Sequence, residues 1–286
     1  MTLTGTTQLL GVMGDPVTHS LSPVMHNAAL AELGADYIYV PFAVAAADLA
    51  TAIAGLAAAG IKGLNLTIPH KQAVLPLLSS LTPEAQAVGA VNTLWRTEQG
   101  WAGTNTDVAG FVAPLKGHQG WSGATALVLG NGGAARAVVV GCVQLGFGAV
   151  QVVGRNALKL DHFQASWADS SWQPPLTVQP WDNLAALLPG ADLIVNTTPV
   201  GMHTTAGQSP LSSAELALVP ATTLVYDLIY TPRPTQLLTL AAQAGLTSLD
   251  GLEMLVQQGA AALEIWLGQP VPVETMRRAL VEWLGG

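Results

Sequence analysis

Residues 126–138 read ALVLGNGGAARAV, which is an apolar β-prone run, a glycine-rich turn and the start of a helix. Gly130, Gly132 and Ala135 fit the G-x-G-x-x-G/A pattern of dinucleotide-binding turns. In such turns the first glycine allows a tight bend, and the second lets a pyrophosphate approach the backbone N–H groups at the helix start. A turn that only packs a helix against a strand can carry the same residues. The pattern therefore favours nucleotide binding and leaves this alternative open.

Strand and helix patterns alternate on both sides of the turn, which is typical of α/β proteins. Before it, we predict strands at 8–14, 37–44 and 61–69, helices at 22–34, 46–60 and 71–81, and a hairpin over 91–105. After it, we predict strands at 149–154, 176–180, 192–197, 223–229 and 246–249, with the clearest helices at 134–145, 183–189 and 235–244. The hairpin, turning at 98–100, adds antiparallel strands and makes the first sheet mixed.

The chain has 286 residues, more than the usual single-domain size of about 100 to 200 residues. We predict an N-terminal α/β domain over 1–107 and a Rossmann-like, doubly wound nucleotide-binding domain over 108–251. No strand pattern follows the helical stretches 252–268 and 273–285. We therefore expect segment 252–286 to return to the first domain and complete it.

Composition excludes several classes of function. Ten basic against eighteen acidic residues give a net charge of −8, without a Lys/Arg cluster, which argues against a nucleic-acid partner. The charge-free run 137–154 invites a membrane reading, but its four glycines and two glutamines favour a buried helix followed by a strand. Cys142 is the only cysteine, and the N-terminus lacks the pattern of an export signal, so we predict a cytoplasmic protein.

The second strand of the nucleotide domain ends as QVVGRNALK (151–159). A site specific for NAD usually places an acidic residue there for the ribose hydroxyls, whereas Arg155 would attract a 2′-phosphate. This predicts NADP as the cofactor. The alternative is a solvated loop arginine.

Polar clusters at strand ends of the first domain suggest a second site. Ser20 and Ser22 precede a helix, where they could cap it or, with the helix-start amides, receive a carboxylate. Lys71 and Asp107 carry opposite charges, and they could form an ordinary salt bridge or a proton-transfer pair.

Three histidines, His19, His26 and His70, raise the question of a metal. No carboxylate or cysteine ligands at matching spacing accompany them, so we predict loop or helix-face histidines and no metal site.

Eight segments, taken in order, resemble the shikimate dehydrogenase family and span nearly the whole chain. They are GDPVTHSLSPVMHN (14–27), NLTIPHK (65–71), GAVNT (89–93), GTNTDVAG (103–110), GNGGAAR (130–136), NTTPVGM (196–202), DLIYTP (227–232) and DGLEMLVQQG (250–259). Eight ordered matches are far more specific than one glycine turn.

The resemblance implies roles for particular residues. The family's substrate contacts map onto Ser20, Ser22, Thr67, Lys71, Asn92, Asp107, Tyr230 and Gln258, with Lys71 and Asp107 as the catalytic pair. Its phosphate loop maps onto Gly130, Asn131, Gly132, Gly133 and Ala134, and its NADP-reading segment onto Gly154, Arg155, Asn156 and Lys159. Positions near the nicotinamide map onto Leu228 and Gly251.

One departure concerns that NADP-reading segment, which is typically Asn-Arg-Thr with a later basic residue. Here it reads Gly154-Arg155-Asn156 with Lys159, so the cations remain while the leading asparagine and the threonine hydroxyl are lost. NADP remains the expected cofactor. How strongly the protein prefers NADP to NAD stays open.

The resemblance implies reversible reduction of 3-dehydroshikimate to shikimate by NADPH, in the pathway of aromatic amino-acid biosynthesis. Residues 1–107 would bind the substrate in a cleft, 108–251 would bind NADP, and the protein would be a monomer or homodimer. Two alternatives stay open: an NAD-dependent quinate/shikimate dehydrogenase, and a non-catalytic nucleotide-binding sensor on the same fold. Ser22 and Arg155 speak against the first, and the presence of both Lys71 and Asp107 speaks against the second.

Overall fold

The computed structural model describes residues 3–118, 120–168 and 172–285. The chain divides into two compact units, Met1–Gly110 with Leu255–Gly286, and Phe111–Met254. By this division the helical stretch 273–285 and most of the stretch 252–268 lie in the first unit.

The first unit contains a mixed six-stranded sheet in the order β2-β1-β3-β5-β6-β4. Its strands are β1 (Gln8–Gly14), β2 (Tyr37–Ala43), β3 (Gly63–Leu66), β4 (Ser80–Leu81), β5 (Thr93–Thr97) and β6 (Gly100–Thr104). Strands β2, β1 and β3 run parallel, whereas β5 pairs antiparallel with both β3 and β6. Thr97 pairs with Gly100, which confirms the predicted hairpin and its turn.

The helices that accompany this sheet are α1 (Ser22–Glu32), α2 (Leu49–Ala58), α3 (His70–Ala73), α4 (Pro83–Val88) and, near the C-terminus, α12 (Val273–Gly285). Helix α5 (Asp107–Val112) begins in the first unit and ends in the second. Helix α11 (Leu252–Leu267) begins in the second unit and continues into the first. A Cβ added to Gly259 of α11 would lie 2.2 Å from Met25 Cε of α1. Trp266 of the same helix donates from Nε1 to the carbonyl of Leu94 at 2.9 Å. These contacts fix α11 against α1 and β5.

The second unit contains a fully parallel sheet in the order β12-β11-β10-β7-β8-β9. Its strands are β7 (Thr125–Leu129), β8 (Ala149–Gly154), β9 (Leu176–Pro180), β10 (Leu193–Asn196), β11 (Leu224–Asp227) and β12 (Thr247–Leu249). Its helices are α6 (Gly133–Leu145), α7 (Ala157–Ala165), α8 (Leu184–Leu187), α9 (Ser213–Leu216) and α10 (Gln236–Gln243). Counted along the unit, the strand order is 3-2-1-4-5-6, which is the doubly wound arrangement of dinucleotide-binding domains.

The four inner strands of this second sheet, β11, β10, β7 and β8, are largely buried. Leu127, Val152, Ile194 and Val225, from four adjacent strands, are all fully buried. Continuous apolar strands are what a parallel sheet covered by helices requires. In such sheets ligands bind at the carboxyl ends of the strands where the order reverses, which here lies between β7 and β10.

Several predicted elements differ in the structure. The helix predicted at 71–81 is broken into α3, a 3-10 turn at Leu75–Leu77 and β4, because Pro76 removes a backbone donor. The strand predicted at 61–69 is limited to Gly63–Leu66, so Lys71 lies in α3 after a turn rather than directly at the strand end. Helix α7 was not predicted.

The apolar run 137–154 forms the end of α6 and all of β8, as predicted. Gly146 ends the helix in a left-handed conformation, with φ of 84°. Across the described ranges, no helix combines the length and the apolar composition that crossing a membrane would need.

Candidate active site

Lys71 and Asp107 form an ion pair in the first unit, which confirms that the two residues meet. Lys71 Nζ lies 2.7 Å from Asp107 Oδ2, and the two side chains are 30% and 14% exposed. Asp107 is the first residue of α5, where the helix dipole favours a negative charge. Its backbone N–H donates to Asn105 Oδ1 at 3.0 Å, which fixes the start of the helix. The pair is thus partly open to solvent on a rigid support.

Asn92 orients the other oxygen of the Asp107 carboxylate. Its Nδ2 donates to Asp107 Oδ1 at 2.8 Å, and its Oδ1 accepts from the backbone N–H of Thr106 at 2.8 Å. Asn92 is 2% exposed. Its carbonyl oxygen is fully engaged inside the protein, and its role as a substrate contact stays a prediction.

Ser20 and Ser22 stand at the start of α1. Ser20 Oγ accepts from the backbone N–H of Ser22 at 3.3 Å, so Ser20 takes up one first-turn donor, as the helix-cap interpretation predicts. Ser22 is 8% exposed and is the first residue of α1. The roles of both serines as substrate contacts stay predictions.

His26 lies one turn after Ser22 and is fully buried. Its Nδ1 is 2.8 Å from the carbonyl oxygen of Ser22, and its ring stacks on Tyr39 with centroids 4.1 Å apart. Burial lowers the pKa of His26 to about 4. His26 is thus a neutral packing residue beneath the serine pair. Among the described residues, no group of three or more His, Cys, Asp or Glu side chains is arranged to hold a metal ion.

The remaining predicted substrate contacts fall in both units. Thr67 follows β3 and is half-buried, and its backbone N–H donates to Met13 O at 2.9 Å. Gln258 lies on α11 in the first unit and donates from Nε2 to Leu255 O at 2.8 Å. Tyr230 follows β11 in the second unit, and burial raises the pKa of its phenol. Their roles as substrate contacts stay predictions.

The glycine-rich turn of the second unit presents open backbone. Gly130 has φ of 101°, a conformation that side chains disfavour, and an added Cβ would lie 2.8 Å from Thr197 Oγ1. Added Cβ atoms at Gly132 and Gly133 would meet no atom within 4 Å. The helix α6 starts at Gly133 without a side-chain cap, so its first N–H groups are available to an anion.

Asn131 occupies the space beside Gly154. A Cβ on Gly154 would lie 3.1 Å from Asn131 Oδ1, so the missing side chain at 154 makes room for the asparagine at 131. The Nδ2 atom of Asn131 is buried and has no hydrogen-bond partner among the described residues. An unpaired amide beside open glycine backbone fits a polar ligand at this edge of the sheet, as a dinucleotide would be.

Arg155 and Lys159 are exposed at the start of α7. Asn156 caps this helix, because its Oδ1 accepts from the backbone N–H of Lys159 at 2.9 Å. Asn156, which stands where the resemblance leads us to expect threonine, thus uses its amide oxygen as a helix cap, and its amide nitrogen remains to donate. Two exposed cations at the end of the second strand suit a phosphate at the ribose end of a dinucleotide.

Leu228 and Gly251 meet at the carboxyl end of β11. A Cβ on Gly251 would lie 2.0 Å from the carbonyl oxygen of Leu228, and Gly251 N donates to Ile229 O at 3.1 Å. Only glycine allows this approach, so the close contact with the Leu228 carbonyl explains why residue 251 is a glycine.

A buried carboxylate supports the same edge. Asp227 accepts from Thr235 Oγ1 at 2.7 Å and from Asn196 Nδ2 at 3.0 Å. Burial raises the pKa of Asp227, and these hydrogen bonds act in the opposite direction. Asp227, Asn196 and Thr235 were not among the predicted site residues, although each lies in or next to a quoted motif.

Comparisons with known proteins agree with this arrangement. A family model described as "Shikimate dehydrogenase substrate binding domain" matches residues 12–94, and one described as "Shikimate 5'-dehydrogenase C-terminal domain" matches 251–281. A curated relative from Nostoc sp. (strain PCC 7120), named "Shikimate dehydrogenase (NADP(+))", is 57% identical over 99% of this chain and 99% of its own.

Two solved structures are similar over nearly their full length. The shikimate 5-dehydrogenase of Thermus thermophilus, in complex with NADP(H) and shikimate, is 36% identical with a TM-score of 0.85, covering 96% of this chain and 99% of that one. The quinate dehydrogenase of Corynebacterium glutamicum, in complex with NAD, is 29% identical with a TM-score of 0.87, covering 96% and 99%. The fold alone is therefore shared by enzymes that differ in substrate and cofactor.

Proposed function

The chain belongs to the shikimate dehydrogenase family, and we infer that it is an NADP-dependent shikimate dehydrogenase. It reversibly reduces 3-dehydroshikimate to shikimate, a reaction of aromatic amino-acid biosynthesis. The observation that carries this inference is the Lys71–Asp107 pair, 2.7 Å apart, in a chain 57% identical to a relative named for this activity.

Lys71 is the group that transfers the proton. When shikimate is oxidised, Lys71 as the neutral amine accepts the proton of the 3-hydroxyl and becomes the ammonium. In the reverse direction the ammonium donates that proton to the new alkoxide oxygen and returns to the amine. Asp107 holds the ammonium in place through its Oδ2 atom, while Asn92 holds the opposite oxygen. A positioned acid–base group of this kind contributes about 10² to 10⁴-fold to the rate.

Substrate recognition is assigned to residues 1–107 with 252–286. Ser20 and Ser22, at the start of α1, would receive the ring carboxylate together with the first amides of that helix. Thr67, Asn92 and Gln258 would contact the ring hydroxyls, and Tyr230 is a further predicted substrate contact. A ring with one carboxylate and several hydroxyls needs such hydroxyl and amide partners.

Cofactor binding is assigned to residues 108–251. When bound, NADP supplies the hydride acceptor or donor for C3 of the substrate. The turn Gly130–Ala134 would receive the pyrophosphate, Arg155 with Asn156 and Lys159 the 2′-phosphate, and Leu228 with Gly251 would line the nicotinamide end. Gly154 supports this site by leaving room for Asn131.

We further propose a cytoplasmic location and a monomer or homodimer as the active form. The only cysteine, Cys142, is free and buried, which suits a reducing compartment.

Initial rates with shikimate and with quinate, each against NADP⁺ and NAD⁺, test the function. We expect shikimate with NADP⁺ to give the highest kcat/KM. A higher value for quinate with NAD⁺ would instead favour the quinate/shikimate alternative. Binding of NADP⁺ without any turnover would favour the nucleotide-binding sensor.

A further inference from the structure

A continuous set of hydrogen bonds leads from Tyr39 on β2 to the Asp107 carboxylate. Tyr39 donates from its phenol to Asn65 Oδ1 at 2.7 Å. Asn65 Nδ2 donates to Thr93 Oγ1 at 3.0 Å, and Thr93 Oγ1 donates to Asn92 Oδ1 at 3.0 Å. Asn92 Nδ2 then donates to Asp107 Oδ1 at 2.8 Å. Each donor in this polar chain faces the next residue towards Asp107.

Asn65 is the junction of the polar chain. Its second amide hydrogen binds the backbone carbonyl of Asn92 at 3.1 Å, so both of its hydrogens and its carbonyl oxygen are engaged. The four residues that precede Asp107 in the polar chain, Tyr39, Asn65, Thr93 and Asn92, are all buried. A buried polar group that lost its hydrogen-bond partner would cost the folded state the full free energy of its desolvation. The side chains are therefore held in the one arrangement in which every donor is paired.

The other end of the polar chain adjoins the serine pair. The Tyr39 ring stacks on His26 with centroids 4.1 Å apart, and His26 Nδ1 lies 2.8 Å from the Ser22 carbonyl oxygen. Ser22 and Asp107 are therefore linked through buried side chains within one unit. Neither Tyr39 nor Asn65 was among the predicted site residues.

We propose that Tyr39 and Asn65 are positioning residues for catalysis, acting through Thr93 and Asn92 on the orientation of Asp107. This inference rests on the proposed function of the Lys71–Asp107 pair. If Asp107 turns away, Lys71 loses the partner that holds its ammonium group. A small rotation at the far end of the polar chain thus lowers turnover more than it lowers substrate affinity.

The test removes one oxygen atom with Tyr39→Phe, which retains the ring stacked on His26. We expect kcat for shikimate to fall about tenfold, the size of one net hydrogen bond, with a smaller change in KM and unchanged NADP⁺ affinity. The matched control is Thr223→Val, which removes another fully buried hydrogen bond, Thr223 Oγ1 to Ala191 O at 2.6 Å, in the second unit. This control should lose similar stability and keep its kcat.

A second pair of variants keeps the test valid if Tyr39→Phe folds poorly. Thr93→Val should lower kcat, whereas Thr93→Ser, which keeps the hydroxyl, should restore it. In an Asp107→Asn background, Tyr39→Phe should have little further effect, because its action passes through that carboxylate. A kcat within about twofold of wild type for both Tyr39→Phe and Thr93→Val would overturn the proposal.

The side-chain amide signals of Asn92 in ¹H–¹⁵N spectra give a readout that needs no turnover. They should shift in Tyr39→Phe and stay in place in Thr223→Val. If wild type fails to oxidise shikimate, the proposed function fails, while these spectra still report whether the polar chain positions Asn92. Unmoved Asn92 signals in Tyr39→Phe would contradict the inference.

Discussion

In the first unit the candidate site is held by side chains, whereas in the second unit it is held mainly by backbone. Lys71, Asp107 and Asn92 are joined by direct hydrogen bonds of 2.7 and 2.8 Å. At the glycine turn, by contrast, the available groups are N–H donors and open space above Gly132 and Gly133. This difference suits the two tasks, since proton transfer needs fixed side chains and a pyrophosphate needs close approach to backbone.

The comparison predicts large catalytic losses from side-chain changes in the first unit. Lys71→Ala removes the acid–base group, and kcat should fall by about 10² to 10⁴-fold while NADP⁺ affinity persists. Steady-state kinetics together with fluorescence titration of NADP⁺ would measure both quantities. Lys62→Ala, at an exposed lysine of the same unit, is the control. Turnover close to wild type in Lys71→Ala would remove Lys71 from the mechanism.

Buried side chains of the first unit should also make its stability depend on pH. His26 has a pKa of about 4 in the folded chain against an ordinary value of 6.5, because burial disfavours its charged form. Between these two pH values the unfolded chain binds a proton at His26 and the folded chain does not. The free energy of unfolding therefore decreases as the pH falls from 6.5 to about 4. The loss should reach about 3 kcal/mol.

Urea unfolding of wild type and His26→Gln across this pH range measures the effect. The variant should show a smaller decline in the free energy of unfolding, whereas His162→Gln, at an exposed position, should decline like wild type. Equal slopes for wild type and His26→Gln would show that His26 is protonated in the folded chain as easily as in the unfolded one.

In the second unit a side-chain change should alter cofactor choice rather than turnover. Arg155→Ala should weaken NADP⁺ about ten- to a hundredfold and leave NAD⁺ nearly unchanged, because a charge-assisted hydrogen bond to the 2′-phosphate is lost. Titration with both cofactors, with Lys116→Ala as the control, tests this. Equal weakening of both would mean that Arg155 supports the loop or the adenine.

The smallest expected effect is on substrate affinity. The double variant Ser20→Ala/Ser22→Ala should raise KM for shikimate about tenfold with little change in kcat, since the carboxylate is remote from C3. An unchanged KM would leave both serines as helix-start residues only.

Most of the fold follows from local patterns, because the buried strands and amphipathic helices have clear periods. The predicted strands 8–14, 149–154 and 176–180 coincide with β1, β8 and β9. Helix α4 was missed although its signals are present, with Thr82 capping the first turn and Gly89 ending it at φ of 64°. Helix α7 was missed as well, although Asn156 caps its first turn.

The site was predictable where a residue lies in a motif and less so where it acts through a neighbour. The meeting of Lys71 and Asp107 was expected and is observed. Asn65 stood inside a quoted motif, and a polar residue within an apolar strand is a signal that it has buried partners. Tyr39 gave no such signal, because aromatic residues are ordinary in strands and its phenol partner lies 26 residues away.

Isotope labelling shows whether this chain transfers hydride between NADPH and C3 of the shikimate ring. The enzyme is incubated with 3-dehydroshikimate and NADPH deuterated at the transferring position, and the product is analysed by NMR. We predict shikimate carrying deuterium at C3, formed rapidly by wild type and about 10² to 10⁴-fold more slowly by Lys71→Ala. Unlabelled product, or no product from a wild-type chain that binds NADPH, would contradict the proposed function.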